Sequence, residues 1–162
     1  MNGIEIRQAN KDETVILCTF LKRPDIDNSF SKPLSQRDLG IEDRVSIVFK
    51  KGVWIIATSE ERICGCRGLK YDVQNFSVCF TTFVIDPVFR GLGIGQKLFC
   101  FSNDYAIRVY KPHSIILDSW DTNEIFKHIA LKYGFQKLRA FNDLCKRPDG
   151  VKTIEYIKKI SN

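Results

Sequence analysis

The 162-residue chain lacks the features that mark membrane and secreted proteins. No run of apolar residues approaches the ~18 that a membrane-spanning helix needs. Residues 1–13 are polar and mixed in charge, without the apolar stretch at the centre of a secretory signal. We therefore expect a cytoplasmic protein with no membrane partner.

Residues that bind metal ions are also sparse in the sequence. The two histidines, His113 and His128, are far apart, and Cys64 and Cys66 form the only closely spaced cysteine pair. A structural zinc site needs CxxC pairs or clusters of cysteine and histidine, and a disulfide framework is typical of short exported chains with regularly spaced cysteines. We predict no metal site and reduced cysteines, with buried thiols at Cys64 and Cys66 on one face of a strand.

Positive charge exceeds negative charge, and the excess is uneven along the chain. The 25 Lys and Arg against 19 Asp and Glu give a net charge of +6. Residues 1–81 carry 12 basic and 11 acidic side chains, whereas residues 82–162 carry 13 and 8. The excess favours an anionic partner. No nucleic-acid-binding motif or long basic run accompanies it, so nucleic acid is not the expected partner.

The length and a composition of 44% hydrophobic and 27% charged residues indicate one globular domain over residues 1–162. Apolar periodicity predicts the element order β-α-β-β-β-α-β-α-β-β, which is an α+β arrangement. Strand-like runs at residues 53–58, 63–71 and 76–85 indicate an antiparallel meander. Residues 24–44 are polar and contain two prolines. They predict a long loop of the kind that often covers a substrate site.

A glycine-rich segment, Arg90-Gly91-Leu92-Gly93-Ile94-Gly95, lies between the last of these strands and a predicted helix. Glycines let the main chain turn tightly and let its N–H groups approach an anion, and a helix N-terminus favours phosphate. The segment therefore predicts a pyrophosphate cradle, with a purely steric role for the glycines as the alternative. Gln96 breaks the dinucleotide-binding pattern G-x-G-x-x-G, and no Gly-Lys-Ser/Thr completes a Walker A loop.

Residues 83–98, FVIDPVFRGLGIGQKL, resemble the cofactor-binding segment of the GNAT acetyltransferase superfamily, R-x-x-G-x-G between a strand and an amphipathic helix. Asn123 and the Gly134-Phe135 pair match the family's downstream pattern and spacing. The predicted element order also agrees, so the resemblance covers nearly the whole chain. It implies a single GNAT-like domain with a central, twisted, mostly antiparallel sheet of about six to seven strands flanked by helices.

The resemblance implies that acetyl-CoA, as co-substrate, lies along the strand that ends at Ile85. The main chain near this end would pair with the pantetheine arm, the following amides would hold the pyrophosphate, and Asn123 would make a polar contact to the arm. The residues expected to bind the cofactor are Phe83, Val84, Ile85, Arg90, Gly91, Leu92, Gly93, Ile94, Gly95, Gln96 and Asn123.

The implied reaction is direct transfer of an acetyl group to a primary amine of a small molecule or protein, which needs a base to deprotonate the ammonium form. A backbone N–H around Val84–Ile85 would stabilise the oxyanion. For the base, Asp118 is the first choice and Asp72 the second. Asp118 and Asp121 are equally suited to capping the turn into the next helix.

The proton donor for the leaving thiolate is also open. The family places a tyrosine seven residues after the asparagine, but this position is Ala130. Tyr133, ten residues after Asn123, is the candidate, with a core aromatic as the alternative. His128, five residues after Asn123, is expected on another face of the helix as a solvated histidine. A thiol pKa near 8.5 makes the thiolate a tolerable leaving group without an acid. The missing tyrosine keeps a second function open, a non-catalytic acyl-CoA-binding regulator of the same fold.

We expect the acceptor to bind between residues 24–44, residues 142–150 and the thioester of the cofactor. The protein is expected to be a monomer or a homodimer. We hypothesise that side chains of the first loop bind a cationic amine. The alternative is that the charged ones are simply solvated. These side chains are Phe30, Asp25, Asp27 and Asp38.

Overall fold

The computed structural model describes residues 3–161, and this part of the chain contains seven strands and five α-helices. The strands are β1 (Glu5–Gln8), β2 (Gly52–Ser59), β3 (Arg62–Asp72), β4 (Ser77–Ile85), β5 (Ser114–Trp120), β6 (Gln136–Asn142) and β7 (Lys152–Lys159). The helices are α1 (Thr14–Lys22), α2 (Pro24–Asp27), α3 (Ile41–Lys51), α4 (Ile94–Tyr105) and α5 (Glu124–Lys132). The end of α4 continues as a π-helix over Ala106–Tyr110.

The strands form one sheet in the order β1-β2-β3-β4-β5-β7-β6. Neighbouring strands are antiparallel, except that β4 and β5 are parallel. The predicted meander corresponds to β2, β3 and β4. The prediction of an α+β fold with a mostly antiparallel sheet of six to seven strands is confirmed.

A hydrophobic core lies on each face of the sheet, because successive side chains of a strand point to opposite faces. In β2, Trp54 and Ile56 pack with residues of α1, α2 and α3. Val53 and Ile55 pack in the core that contains residues of α4 and α5. The sheet therefore separates an α1–α3 face from an α4–α5 face, and any ligand in a gap between strands meets both.

The sequence prediction missed α3, which replaces the last part of the loop proposed for residues 24–44. Its buried residues, Ile41, Val45 and Val48, recur at positions i, i+4 and i+7, the spacing of one helix face. Gly40 is the N-cap, and acidic residues in the first turn and lysines in the last turn suit the helix dipole. This apolar spacing is present in the sequence, but it extends over only about two helical turns and directly follows a polar segment that resembles a loop.

Cys64 and Cys66 are both fully buried, as predicted, but the expectation of a shared face was wrong. The register of β3 against β2 shifts between Ala57 and Thr58, so that the strand alternation is interrupted beside Cys64. Cys64 packs with Ala57 and Ile94, whereas Cys66 packs in the α1–α3 core. A β-bulge therefore moved one thiol to a different cluster.

Candidate active site

A cleft opens where β4 and β5 separate. Their pairing is limited to Ser77–Cys79 against Ser114–Ile116, so in the described structure Phe80–Ile85 have no ladder partner in β5. The cleft has a volume of about 90 Å³. An open strand edge of this kind can bind an extended ligand through main-chain hydrogen bonds. The lining residues are Phe30, Arg37, Arg67, Phe80, Thr81, Thr82, Phe83, Asp118, Ser119, Trp120, Asn123, Phe126, Lys146 and Arg147.

β4 contains a bulge where it borders the cleft. Between the paired residues Cys66–Val84 and Gly68–Thr81, β4 has one more residue than β3. Thr82, within the bulge, adopts a φ of 51°. A left-handed conformation is unfavourable for a β-branched residue, and bulges commonly redirect backbone groups next to active sites. The main chain at Thr82 is therefore turned out of the regular ladder at the cleft edge.

The glycine-rich turn lies directly before α4. Gly91 and Gly93 adopt φ values of 78° and 75°, which glycine accepts without strain, and the space beside both is open. α4 begins at Ile94, and no side chain caps its N-terminus. Arg90 reaches back over the turn, and its Nη2 donates to Ser29 Oγ at 2.7 Å. Uncapped N–H groups at an exposed helix start have the geometry that binds phosphate.

Asn123 lies in the cleft wall as the N-cap of α5. Its Oδ1 accepts from the Phe126 N–H at 3.2 Å, and its Nδ2 donates to Ser119 Oγ at 2.9 Å. Its proposed contact with the pantetheine arm stays a prediction. In the same helix, Phe126 and Ala130 are buried, whereas Ile125 is 78% exposed.

Tyr133 bridges α5 and α4 outside the described lining of the cleft. Its hydroxyl accepts from Gln96 Nε2 at 2.9 Å and lies 3.1 Å from Cys100 Sγ. Its ring stacks on Phe99 with a centroid distance of 5.1 Å, which is typical of aromatic pairs. Ala130 is fully buried at the position of the family's tyrosine. A catalytic role for Tyr133 stays a prediction.

Both carboxylate oxygens of Asp118 bind cations. Lys146 Nζ donates to Oδ2 at 2.8 Å, and Arg147 Nη2 donates to Oδ1 at 2.6 Å. Asp118 alternates in β5 with Ile115 and Leu117, which pack in the α4–α5 core, so it belongs to the α1–α3 face. The contacts suit a carboxylate that holds two cations in place. Its role as general base stays a prediction.

Arg67 is a fully buried cation on β3, opposite the bulge of β4. Its guanidinium carbon lies 4.4, 4.6 and 4.7 Å from the ring centroids of Phe80, Phe83 and Phe99. Its Nε and Nη1 are buried without a hydrogen-bond partner. Burial lowers the pKa of this guanidinium to about 9, so it remains charged at neutral pH. A buried cation in the cleft wall can stabilise negative charge on a bound group.

Sequence reasoning missed four basic residues of the cleft wall, which are Arg37, Arg67, Lys146 and Arg147. Arg67 carried a signal, since it is charged within the buried strand segment ICGCRGL. Arg37 and Arg147 carried none, because arginines in polar loops are normally exposed. Contact between two distant loops buries them, as shown by Lys32 Nζ donating to the Leu144 carbonyl at 2.7 Å.

The acidic loop residues proposed to receive a cationic amine do not line the cleft. Asp25 pairs with a neighbouring arginine, and Asp27 accepts from a nearby serine. Asp38 is likewise absent from the cleft wall, and Asp72 accepts hydrogen bonds within the β3–β4 turn. Among the described residues that line the cleft, Asp118 is the only carboxylate.

No known protein-family profile and no curated protein sequence matches the chain. Solved structures do match it. An acetyltransferase of the GNAT family from Streptococcus pneumoniae has a TM-score of 0.79 at 17% identity, over 98% of this chain and 100% of that chain. The ribosomal-protein-S18-alanine N-acetyltransferase from Escherichia coli has a TM-score of 0.77 at 12% identity, over 99% and 96%. A GNAT-family acetyltransferase from Staphylococcus aureus Mu50 has a TM-score of 0.72 at 20% identity, over 98% and 100%.

These likenesses define the class of fold, which is that of the GNAT N-acetyltransferases along nearly the whole chain. The resemblance seen in the sequence is thereby confirmed at the level of the fold. In residues 3–161, no helix is long and apolar enough to cross a membrane. The same part of the chain contains no group of three or more His, Cys, Asp and Glu arranged to hold a metal ion.

Proposed function

We propose that the protein is an acyl-CoA-dependent N-acyltransferase that moves an acetyl group from acetyl-CoA to a primary amine by direct transfer. The observation that carries the proposal is the open edge of β4, which bulges at Thr82 and leads into the glycine turn before α4. An extended main-chain edge and a set of helix N–H donors then follow one another along the chain. They suit the extended pantetheine arm and the pyrophosphate of acetyl-CoA.

In this proposal the main chain of Phe83, Val84 and Ile85 pairs with the pantetheine arm. The turn from Arg90 to Gln96 holds the phosphates, and Asn123 contacts the arm from the opposite wall. The two walls belong to β4 and to the start of α5, whose N-cap already lines the cleft. The GNAT fold supports the same assignment of residues.

The chemistry is an attack of the neutral amine on the thioester carbonyl carbon. A C–N bond forms, the C–S bond breaks, CoA leaves as the thiolate, and the proton of the new ammonium passes to a base. Backbone N–H groups around Val84–Ile85, next to the bulge, donate to the oxyanion. Arg67 adds positive charge near the developing oxyanion and thiolate, and its burial strengthens this interaction. Arg67 would thereby supply part of the stabilisation of the leaving thiolate that the family's tyrosine provides, since position 130 of this chain is an alanine.

Asp118 is the base of this proposal, acting directly or through a water molecule, because it is the cleft's only carboxylate among the described lining residues. Since both of its oxygens accept from cations, proton transfer to Asp118 requires one of the ion pairs to open. Tyr133 is the proposed acid, and its hydroxyl would have to leave Gln96. A thiol pKa near 8.5 makes the acid dispensable.

Acetyl-CoA should raise the melting temperature of the purified chain, and Gly93→Asp should abolish the shift. The aspartate places negative charge at the phosphate site and strains a residue with φ +75°. Gly150→Asp is the matched control, because Gly150 has φ +82° and open surroundings but lies in the β6–β7 loop. This control should keep the shift. No shift of the unsubstituted chain in millimolar acetyl-CoA would contradict the proposal.

Turnover is measured separately, as amine-dependent release of the CoA thiol detected with a thiol reagent. Release that depends on an added amine supports the acyltransferase. Tight binding of acetyl-CoA without release, across cationic, neutral and anionic amines, would instead indicate the non-catalytic regulator.

A further inference from the structure

Four basic side chains surround Asp118 on the α1–α3 face of the sheet. The Asp118 cluster consists of Arg37, Arg44, Asp118, Asp143, Lys146 and Arg147. Lys146 and Arg147 pair with Asp118 directly, and Arg37 and Arg44 interact with it through the charge of its carboxylate. Asp143 is the second carboxylate that interacts with Arg37. Glu155 lies opposite Asp118 on β7, but Arg139 pairs with it. The remaining four cations face two carboxylates, which leaves the cluster with an excess of positive charge.

Buried hydrogen-bond donors in the cluster have no partner. Among the described residues, seven buried side-chain nitrogen and oxygen atoms lack one, and three of them are Arg37 Nη2, Arg44 Nε and Arg147 Nε. Arg147 is only 4% exposed. An unpaired buried N–H loses its hydrogen bond to water without replacement, which destabilises the folded chain. The cluster thus combines surplus charge with unused donors.

The electrostatic cost of this arrangement is visible at Arg37. Burial, followed by repulsion from Arg44 and Arg147, lowers the pKa of the Arg37 guanidinium to about 10. The guanidinium remains charged at neutral pH despite these unfavourable surroundings. An arriving anion would supply both the missing charge and the missing acceptors.

The position of the cluster separates it from the proposed phosphate site. Its residues lie on the α1–α3 face, whereas the glycine turn opens the helix α4 that packs on the other face. Phe30 and Trp120 complete the cleft wall beside Arg37 and Arg147.

We propose that the Asp118 cluster binds an anionic group, a carboxylate or a phosphate, of the amine acceptor. The inference rests on the proposed function and names the class of its acceptor. Arginine forks match the paired oxygens of carboxylates and phosphates, so Arg37 and Arg147 hold the anion while the amine points into the gap between β4 and β5. This assignment replaces the sequence-based expectation of a cationic amine held by loop carboxylates.

Matched pairs of amines test the acceptor class through kcat/KM for CoA release. The pairs are glycine against glycinamide and phosphoethanolamine against ethanolamine, with putrescine as the dicationic probe. We expect the anionic member of at least one pair to be favoured by at least about tenfold, as one charge-assisted hydrogen bond allows. A preference for glycine identifies a carboxylate, and a preference for phosphoethanolamine identifies a phosphate. Preference for the neutral members or for putrescine would overturn the inference.

Arg37→Gln should reduce the preference for the anionic member to about one, mainly by raising its KM, and Arg37→Lys should restore part of it. The control is Arg7→Gln, which removes an arginine of the edge strand β1 that pairs with Glu13 and does not line the cleft. The control should keep the preference of the unsubstituted chain. An unchanged preference in Arg37→Gln would also overturn the inference.

Direct anion binding separates this inference from the proposed function. Inorganic phosphate and glycine are titrated, without acetyl-CoA, into the Gly93→Asp variant, which removes the phosphate site at α4. We expect chemical-shift changes around Arg147 from at least one probe, and their loss in the double variant with Arg37→Gln. No changes from either probe would overturn the anion site even if acetyl-CoA binds. Anion binding together with failure to bind acetyl-CoA would overturn only the proposed acyltransferase.

Discussion

Two carboxylates of this protein each hold a group of cations, and the two groups differ in charge balance. At the end of β4, the Asp86 cluster consists of Arg23, Asp25, Arg62 and Asp86. Asp86 is fully buried and accepts from Arg23 at 2.7 Å and from Arg62 at 3.2 Å, and Arg23 also pairs with Asp25. Two cations therefore face two carboxylates. In the Asp118 cluster, four cations face two.

The two clusters also differ in how their hydrogen bonds are satisfied. The Val88 N–H donates to the remaining oxygen of Asp86, and no atom of the Asp86 cluster is among the buried, unpartnered atoms of residues 3–161. Burial alone would raise the pKa of Asp86, but Arg23, Val88 and Arg62 together lower it below its usual value. A balanced and satisfied cluster stabilises the fold, whereas the surplus and the unpaired donors around Asp118 indicate a ligand.

The comparison is tested most strongly by Asp86→Asn. We expect the free energy of unfolding to fall by about 3 kcal/mol, because the fully buried carboxylate loses its charge-assisted hydrogen bonds from two arginines. Denaturant unfolding at neutral pH measures the loss. Asp25→Asn is the control within the same cluster and should cost clearly less, since its carboxylate is exposed. Equal losses from both substitutions would contradict the assignment.

The same variant predicts a pH dependence. Because the pKa of Asp86 is lowered in the folded state, its contribution is present above the usual carboxyl pKa of about 3.9. The contribution is lost as the pH falls through the lower, folded-state value. Stability of Asp86→Asn should therefore decline less steeply in acid than that of the unsubstituted chain.

Asp118→Asn should produce the next largest effect, a loss of about 2 kcal/mol, because the hydrogen bonds of its carboxylate to two cations are replaced by neutral ones. The excess of positive charge then grows, so added inorganic phosphate should recover part of the loss by binding the folded state. Thermal unfolding with and without phosphate measures the recovery, with Gly93→Asp present in both variants so that the proposed phosphate site at α4 is removed. The same addition should not rescue Asp86→Asn, and rescue of both would remove the distinction between the clusters.

The smallest effect is expected for Arg37→Gln, with stability within about 1 kcal/mol of the unsubstituted chain. The substitution removes the hydrogen bond from Arg37 Nε to the Lys32 carbonyl, but it also relieves repulsion from Arg44 and Arg147. Denaturant unfolding measures the balance. A loss of stability as large as that of Asp86→Asn would contradict the comparison, because the Asp118 cluster would then stabilise the fold as strongly as the Asp86 cluster does.

Local patterns predicted much of the fold and one side of the candidate site. Apolar runs in strands β2, β3 and β4 specified the meander, because alternation and β-branched residues act within a single strand. The glycine turn specified the start of α4, because positive φ angles are needed at Gly91 and Gly93 whatever the surroundings. The bulge at Thr82 gave no such signal, since it arises from the register of β4 against β3.

The amino-acid sequence by itself determined the strand order along the chain, the position of the glycine turn and the general excess of positive charge. Only the tertiary structure decided which charges are buried and which of them have partners. Arg147 contacts Ser31, 116 residues away in sequence, and the Asp118 cluster joins residues of α3, β5 and two loops. Burial and charge balance are sums over such distant neighbours, so no local pattern of residues contains them.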